Sequence, residues 1–207
     1  MDNMQYFLEY MQGNPNSEIF QTVDDLNDYD PDLLLYELSK IIDVNDPKTP
    51  DQIHITNDPQ HEDDIEYSYG SLAIDVRNSG EVVDADGNVK YIRKFYDTPI
   101  EEESFTGIST IFKNTVFEDI ANELKSRYKI GRFRVMISER SSCLSWHMDV
   151  QKRLHYPLKT QKGCFMVVED EVRHLKKGQT YIVDTVRMHT AVNASRENRI
   201  HLVANIL

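Results

Sequence analysis

The sequence predicts a mainly β protein, a sandwich, jelly roll or barrel that carries two helices. Three observations lead there. From Arg132 onward the chain breaks into about seven short strand-like runs separated by turn residues, the spacing of an all-β domain. Two stretches, 29–42 and 114–128, carry apolar residues at helical spacing, as helices that back a sheet do. The 207 residues suit one domain with an elaboration, and no apolar run approaches the ~20 residues of a membrane helix.

Residues 1–12 hold Tyr6, Phe7, Leu8, Tyr10 and Met11, which fit a short helix or a terminal strand and end at Gly13-Asn14-Pro15. The first helix spans 29–42. Asp30 is placed to cap it and Pro31 suits its first turn, where a missing N–H costs nothing; Leu34, Leu38, Ile41 and Ile42 share a face. Pro47 and Pro50 end the helical pattern between 43 and 51. Residues 52–56 alternate like a strand with Ile53 and Ile55 on one side, leaving His54 as a surface histidine. Residues 57–66 read as a solvated acidic loop, since the spacing and glycine of a calcium loop are missing. Residues 67–76 lean towards β, and 82–95 form a hairpin about Asp84-Ala85-Asp86-Gly87-Asn88. Residues 98–106 are a second acidic loop. The second helix is capped by Asn114 or Thr115, the latter at capping-box spacing from Glu118, with Val116, Phe117, Ile120, Leu124 and Tyr128 as its stripe.

Strands then follow at 132–138, with Phe133, Val135 and Ile137 against Arg132, Arg134 and Met136, and at 144–150, 153–158, 163–169, 180–185 and 198–207. Cys143 and Cys164 fall in strand-like runs. They make no disulfide framework and read as buried reduced thiols, which with the absence of a signal-peptide pattern at Met1–Gln5 places the chain in the cytoplasm.

The net charge of −12 is unevenly spread. Residues 1–104 hold 25 acidic and 6 basic side chains, and 105–207 hold 10 and 17. An acidic chain argues against nucleic acid as a partner. The basic half suits an anionic ligand, or docking of the two halves against each other.

The chemistry centres on Trp146-His147-Met148-Asp149. On a strand His147 and Asp149 point the same way, and an imidazole beside a carboxylate is two thirds of a two-histidine-one-carboxylate set that holds iron(II) with positions open. His189 is the candidate third ligand. Arg199, ten residues later on a terminal strand, would supply the cation a dianionic co-substrate such as 2-oxoglutarate needs.

Four local patterns also resemble the aspartyl/asparaginyl β-hydroxylase family of Fe(II)/2-oxoglutarate oxygenases: Trp146–Asp149; Arg153-Leu154-His155-Tyr156-Pro157-Leu158; Lys177-Gly178 leading through Thr180–Val183 to Asp184; and His189–Asn193 followed by Arg199–Val203. The resemblance implies a double-stranded β-helix (jelly roll, cupin-like) with N-terminal helices packed on one sheet. Length, charge and the resemblance together lead us to expect one oxygenase domain over 1–207, in which 1–104 is an acidic elaboration and 130–207 the metal- and co-substrate-binding core. It further implies His147 and His189 as iron ligands, Arg199 on the far carboxylate of 2-oxoglutarate, and Arg153 with His155 at its 1-carboxylate end, with O2 as the oxidant. Vertebrate-type aspartyl hydroxylases lack the carboxylate ligand that Asp149 offers, so the substrate does not transfer: an amino acid, a peptide side chain or a related small polar molecule all fit. A cupin-like metal enzyme of another class and a non-catalytic jelly-roll binding module are the competing readings. Neither membrane nor nucleic acid is an expected partner, and the oligomeric state is not legible.

Overall fold

A computed structural model describes residues 18–207, so the helix-or-strand segment expected at 1–12 lies outside the described residues. The described chain has helices α1 (Pro31–Ser39) and α2 (Val116–Arg127). Its strands are β1 (Phe20–Val23), β2 (Gln52–His54), β3 (Thr56–Asn57), β4 (Ile74–Val83), β5 (Val89–Phe95), β6 (Gly107–Ile108), β7 (Ile130–Ser138), β8 (Ser142–Cys143), β9 (Lys152–Lys159), β10 (Cys164–Val168), β11 (Glu171–Arg173), β12 (Thr180–Val183), β13 (His189–Asn193) and β14 (Arg199–Ile206).

Two antiparallel sheets form the body. The larger runs β1-β12-β9-β14-β7-β2 and the smaller β11-β10-β13-β8. Alternation along the strands decides what lies on each side. Phe133, Val135, Leu154, Tyr156, Leu158, Ile200 and Leu202 project from the outer face of the large sheet into a core with Leu34 and Leu38 of α1 and Phe117, Ile120 and Leu124 of α2. Between the sheets, Phe20, Tyr181 and Val183 of the large one meet Met166, Val168 and Ala191 of the small one. This is the jelly roll with helices on one sheet. Burying an aliphatic side chain of this kind stabilises by roughly 1.5–3 kcal/mol.

Both helix starts are built as their sequences predict. Asp30 accepts from the backbone N–H of Asp32 at 2.8 Å and of Leu33 at 3.3 Å, with Pro31 in the first turn. Thr115 caps α2 through Phe117 N–H, and the Glu118 carboxylate reaches back to the N–H of Asn114, one residue before the capping-box donor. β4 and β5 form the expected hairpin as a separate two-stranded sheet, turning at Gly87 with φ +84°. Strands β1 and β2, from the acidic half, complete the two edges of the large sheet.

Four local expectations change. His54 is fully buried, because β2 pairs with β7 and its ring meets the edge of Phe105 at 5.5 Å. Glu102, in the acidic stretch 98–106, is buried against Arg132 rather than solvated. Of the two thiols Cys164 is buried but Cys143 is exposed. The stretch 144–150 is not a regular strand. It runs extended beside β13 and pairs with it only through an isolated His147–His189 bridge and a single bond from Leu144 N–H to the Ala191 carbonyl, while Asp149 N–H bonds the Thr185 carbonyl ahead of β13.

Candidate metal centre

Although 144–150 is irregular, its alternation holds. Trp146, Met148 and Val150 are 52%, 64% and 83% exposed, while His147 and Asp149 turn inward. The His147 and His189 backbones exchange N–H···O bonds of 3.1 and 2.9 Å, which brings two residues distant in sequence face to face. Their rings lie 4.3 Å apart. His189 Nε2 is 3.4 Å from Asp149 Oδ2, and His147 Nε2 is 3.9 Å from Asp149 Oδ1. One ligand atom from each of the three residues falls within 4.8 Å of the others. Ligand atoms about 2.1 Å from one metal and at right angles stand roughly 3 Å apart, so a small contraction would suffice.

The tautomers suit this role. His147 Nδ1 lies 2.8 Å from the Ser145 carbonyl and His189 Nδ1 lies 2.9 Å from the Arg187 carbonyl. A carbonyl only accepts, so each Nδ1 carries the proton and each Nε2 presents its lone pair inward, as metal-ligating histidines do. Sequence reasoning had no access to these two carbonyls, since any residue type supplies one. Asp149 Oδ2 is buried and makes no hydrogen bond, while Oδ1 accepts from Arg153 Nη2 at 2.6 Å. Burial works to raise the Asp149 pKa; the Arg153 guanidinium works against it, and the carboxyl is held below the usual range.

A cavity of about 30 Å³ runs inward from His189 past Arg153 and His155 to His201 and Arg199. Its walls mix Met136, Leu144, Met166, Ala191 and Val203 with polar side chains that are under-bonded. Neither ring nitrogen of His155 has a partner, nor does Nε2 of His201 or Nε of Arg153. Burial, reinforced by Arg153 and Arg199, pushes the His155 pKa far below the ordinary imidazole value, so the ring is neutral; the same holds for His201 through burial and Arg199. Burial also lowers the pKa values of Arg153 and Arg199. A cavity of this size holds about two waters, so a larger occupant requires these under-bonded side chains to shift. A wider cleft of about 450 Å³ lies elsewhere, between Asn45, Pro47, Glu139, Lys159 and Arg196, and none of the expected site residues line it.

Four of the six residues singled out in the sequence, Arg153, His155, His189 and Arg199, line this cavity, and His147 and Asp149 adjoin it through their contacts with His189 and Arg153. Arg134 was missed. It alternates with Phe133 and Val135 and so faces inward, fully buried, bonded to Gln52 and Asn205 and to no carboxylate. Four guanidiniums, of Arg132, Arg134, Arg153 and Arg199, project from the inner face of the large sheet. Among the described residues only Glu102 and Asp149 form ion pairs with any of them. Asn193 and Asp184 lie outside the cluster: Asn193 ties β13 to the Ser138 and Glu197 carbonyls, and Asp184 pairs with Lys152 and Arg187.

Comparison with known proteins bears on the second half of the chain. Residues 113–207 match the family model described as aspartyl/asparaginyl beta-hydroxylase. The chain is 32% identical over 75 residues to L-proline cis-4-hydroxylase of Rhizobium meliloti (strain 1021), a stretch that covers 33% of this chain and only 26% of that protein. Among solved structures it overlaps a 2OG-Fe(II) oxygenase family oxidoreductase from Burkholderia pseudomallei at 12% identity and a TM-score of 0.34, covering 61% of this chain and 71% of the other. It overlaps a cupin domain from Bordetella pertussis at 14% identity and a TM-score of 0.33, covering 37% and 80%. Structural overlaps this loose have no bearing on function. Residues 113–207 are similar to the aspartyl/asparaginyl β-hydroxylase family, the resemblance that the motifs at 146–149, 153–158, 177–184 and 189–203 led us to expect.

Proposed function

We propose that the protein is an Fe(II)- and 2-oxoglutarate-dependent hydroxylase that acts on an amino acid, a peptide side chain or a related small polar substrate. The observation that carries this reading is the pair of inward Nε2 atoms of His147 and His189, each set by a backbone carbonyl on its Nδ1, beside a buried Asp149 oxygen with no hydrogen-bond partner. Two neutral imidazoles and a carboxylate suit iron(II) and leave open positions. The bound iron would supply O2 activation coupled to decarboxylation of 2-oxoglutarate, and with it hydroxylation of a C–H bond.

The chain's own residues have three tasks. His147, His189 and Asp149 hold the metal. Arg199, partly buried and paired with no carboxylate among the described residues, binds the far carboxylate of the co-substrate. Arg153 and the neutral His155 meet its 1-carboxylate end. Two guanidiniums in excess over carboxylates inside the sheet favour a dianion, since each uncompensated buried charge is costly. The family match over 113–207 supports a hydroxylase. A metal enzyme of another class would keep the three ligands but gives Arg199 no task.

Anaerobic titration with Fe(II) and 2-oxoglutarate tests the proposal. We expect a weak visible charge-transfer band that His189→Ala abolishes, and succinate release in air with an amino-acid or peptide pool. No band and no succinate would overturn it.

A further inference from the structure

Two of the sheet edges, β2 on the large sheet and β8 on the small one, are finished differently. On the large sheet, β2 is one of the two edge strands, and the chain covers it: the Ile65 carbonyl accepts from His54 N–H at 3.0 Å, and the Tyr69 hydroxyl bonds Asp51. On the small sheet one edge is β8 and the extended stretch beyond it, and none of the described residues pairs with the outer side of that stretch. His147 exchanges both of its backbone bonds with His189. In an antiparallel pair this directs the N–H and C=O of the two flanking residues, Trp146 and Met148, away from β13 into open space. Among the described residues no hydrogen bond engages the backbone of either residue. Bare edges are normally blunted by charge or proline. Here the eight residues from Ser141 to Met148 contain neither, and Leu144, Trp146 and Met148 are 48%, 52% and 64% exposed.

Position selects the occupant. A strand added to this edge lies about 4.8 Å from the 146–148 backbone. Its residues bonded to Trp146 and Met148 put their side chains on the outer face, against those two apolar side chains. The residue between them stands opposite His147 on the inner face, with its Cβ about 5 Å from that of the ligand histidine. We infer that this edge docks an extended polypeptide, apolar–X–apolar in pattern, whose central side chain X is delivered to the metal centre. The inference rests on the hydroxylase reading and narrows it: the substrate is a residue within a chain, and main-chain pairing supplies affinity while the flanking positions supply selectivity.

The probes are N-acetylated, C-amidated heptapeptides with valine or leucine at positions 3 and 5 and varied X at position 4, compared with the free amino acids X. With peptide at about ten times its Kd, hydrogen exchange at the Trp146 and Met148 amides should slow by about tenfold. An ester in place of the peptide amide that faces Met148 should abolish that protection, a change that leaves the protein untouched. Met148→Pro, which deletes one outward N–H, should abolish peptide binding and spare the Fe(II)/2-oxoglutarate band. The inference falls if peptides bind without protecting these amides, if ester peptides bind equally well, or if only free amino acids are turned over. It also falls if both amides are already protected without peptide and lose that protection on dilution, because the edge then pairs with a second copy. The band is recorded on the same samples. A band without docking sinks this inference alone, and docking without a band sinks the hydroxylase reading alone.

Discussion

Arg153 Nη2 lies 2.6 Å from Asp149 Oδ1, so the candidate metal-ligating carboxylate is neutralised by a nearly buried guanidinium four residues along the chain. A metal at His147 and His189 would take the free Asp149 Oδ2 while Oδ1 stays with Arg153, so the two positive groups would share one carboxylate. Removing Arg153 therefore affects the metal-free protein most. Arg153→Met should lower the stability of the metal-free protein by about 2–4 kcal/mol through an uncompensated buried carboxylate. Saturating Mn(II) should restore more Tm in the variant than it adds to the wild type. Equal metal-induced shifts in the two proteins would show that Arg153 does not neutralise Asp149.

Arg199 tests the other end of the cavity. Its guanidinium is largely buried with no carboxylate partner among the described residues, so a diacid has most to gain there. Arg199→Ala should weaken 2-oxoglutarate binding by a few kcal/mol, of the order of 2–4, read as a raised KM for the co-substrate. Metal affinity, measured by Mn(II) titration without co-substrate, should be unchanged.

Glu102 is the counterpart inside the large sheet. It accepts from Arg132 N–H at 2.9 Å, from Arg132 Nε at 2.8 Å and from Asn205 Nδ2. Burial works to raise its pKa, and Arg132 outweighs that and holds it low. A depressed carboxyl contributes stability above its unfolded-state value, and that contribution is lost as pH falls through the lower folded-state value. Glu102→Gln should cost about 3–5 kcal/mol near neutrality. Urea unfolding should show the gap to wild type narrowing as pH drops below the ordinary glutamate range; a gap that stays constant there would refute the ionic role.

His54 sets a second acid limb. Burial, then Arg134, Arg132 and Arg77, push its pKa well below 6.5, so it is neutral when folded and protonates once unfolded. The unfolded state then binds the extra proton below pH 6.5, and folding stability falls with falling pH by up to about 1.4 kcal/mol per unit. Neither ring nitrogen has a hydrogen-bond partner. His54→Leu should therefore cost little at neutral pH and should flatten the stability profile between about pH 6 and pH 5. An unchanged slope would mean that the ring titrates freely in the folded protein.

Local chemistry was legible where it rests on neighbours in the chain. Pro31 and the Asp30 cap announced α1, the Phe133–Val135–Ile137 alternation announced β7, and Asp84–Asn88 announced the β4–β5 turn. The expectation for His54 was wrong for a definite reason: what buries it is Phe105, from a loop the sequence marks only as acidic. Glu102 reads as solvated for the same reason, since the partner that draws it inside, Arg132, is 30 residues away.

By itself the sequence determined the alternation that turns His147 and Asp149 one way and Trp146 and Met148 the other, because the side-chain period of an extended chain is intrinsic to its backbone. It likewise determined that Arg199 shares a face with His201. Only the tertiary structure decided that His189 comes to bridge His147, that the Ser145 and Arg187 carbonyls orient both imidazoles, and that the described residues close the edge at β2 but leave the one at Trp146 and Met148 unpaired. Those outcomes depend on which distant segments pair. Pairing is decided by burial of the faces the two sheets and two helices share, a property of the whole chain.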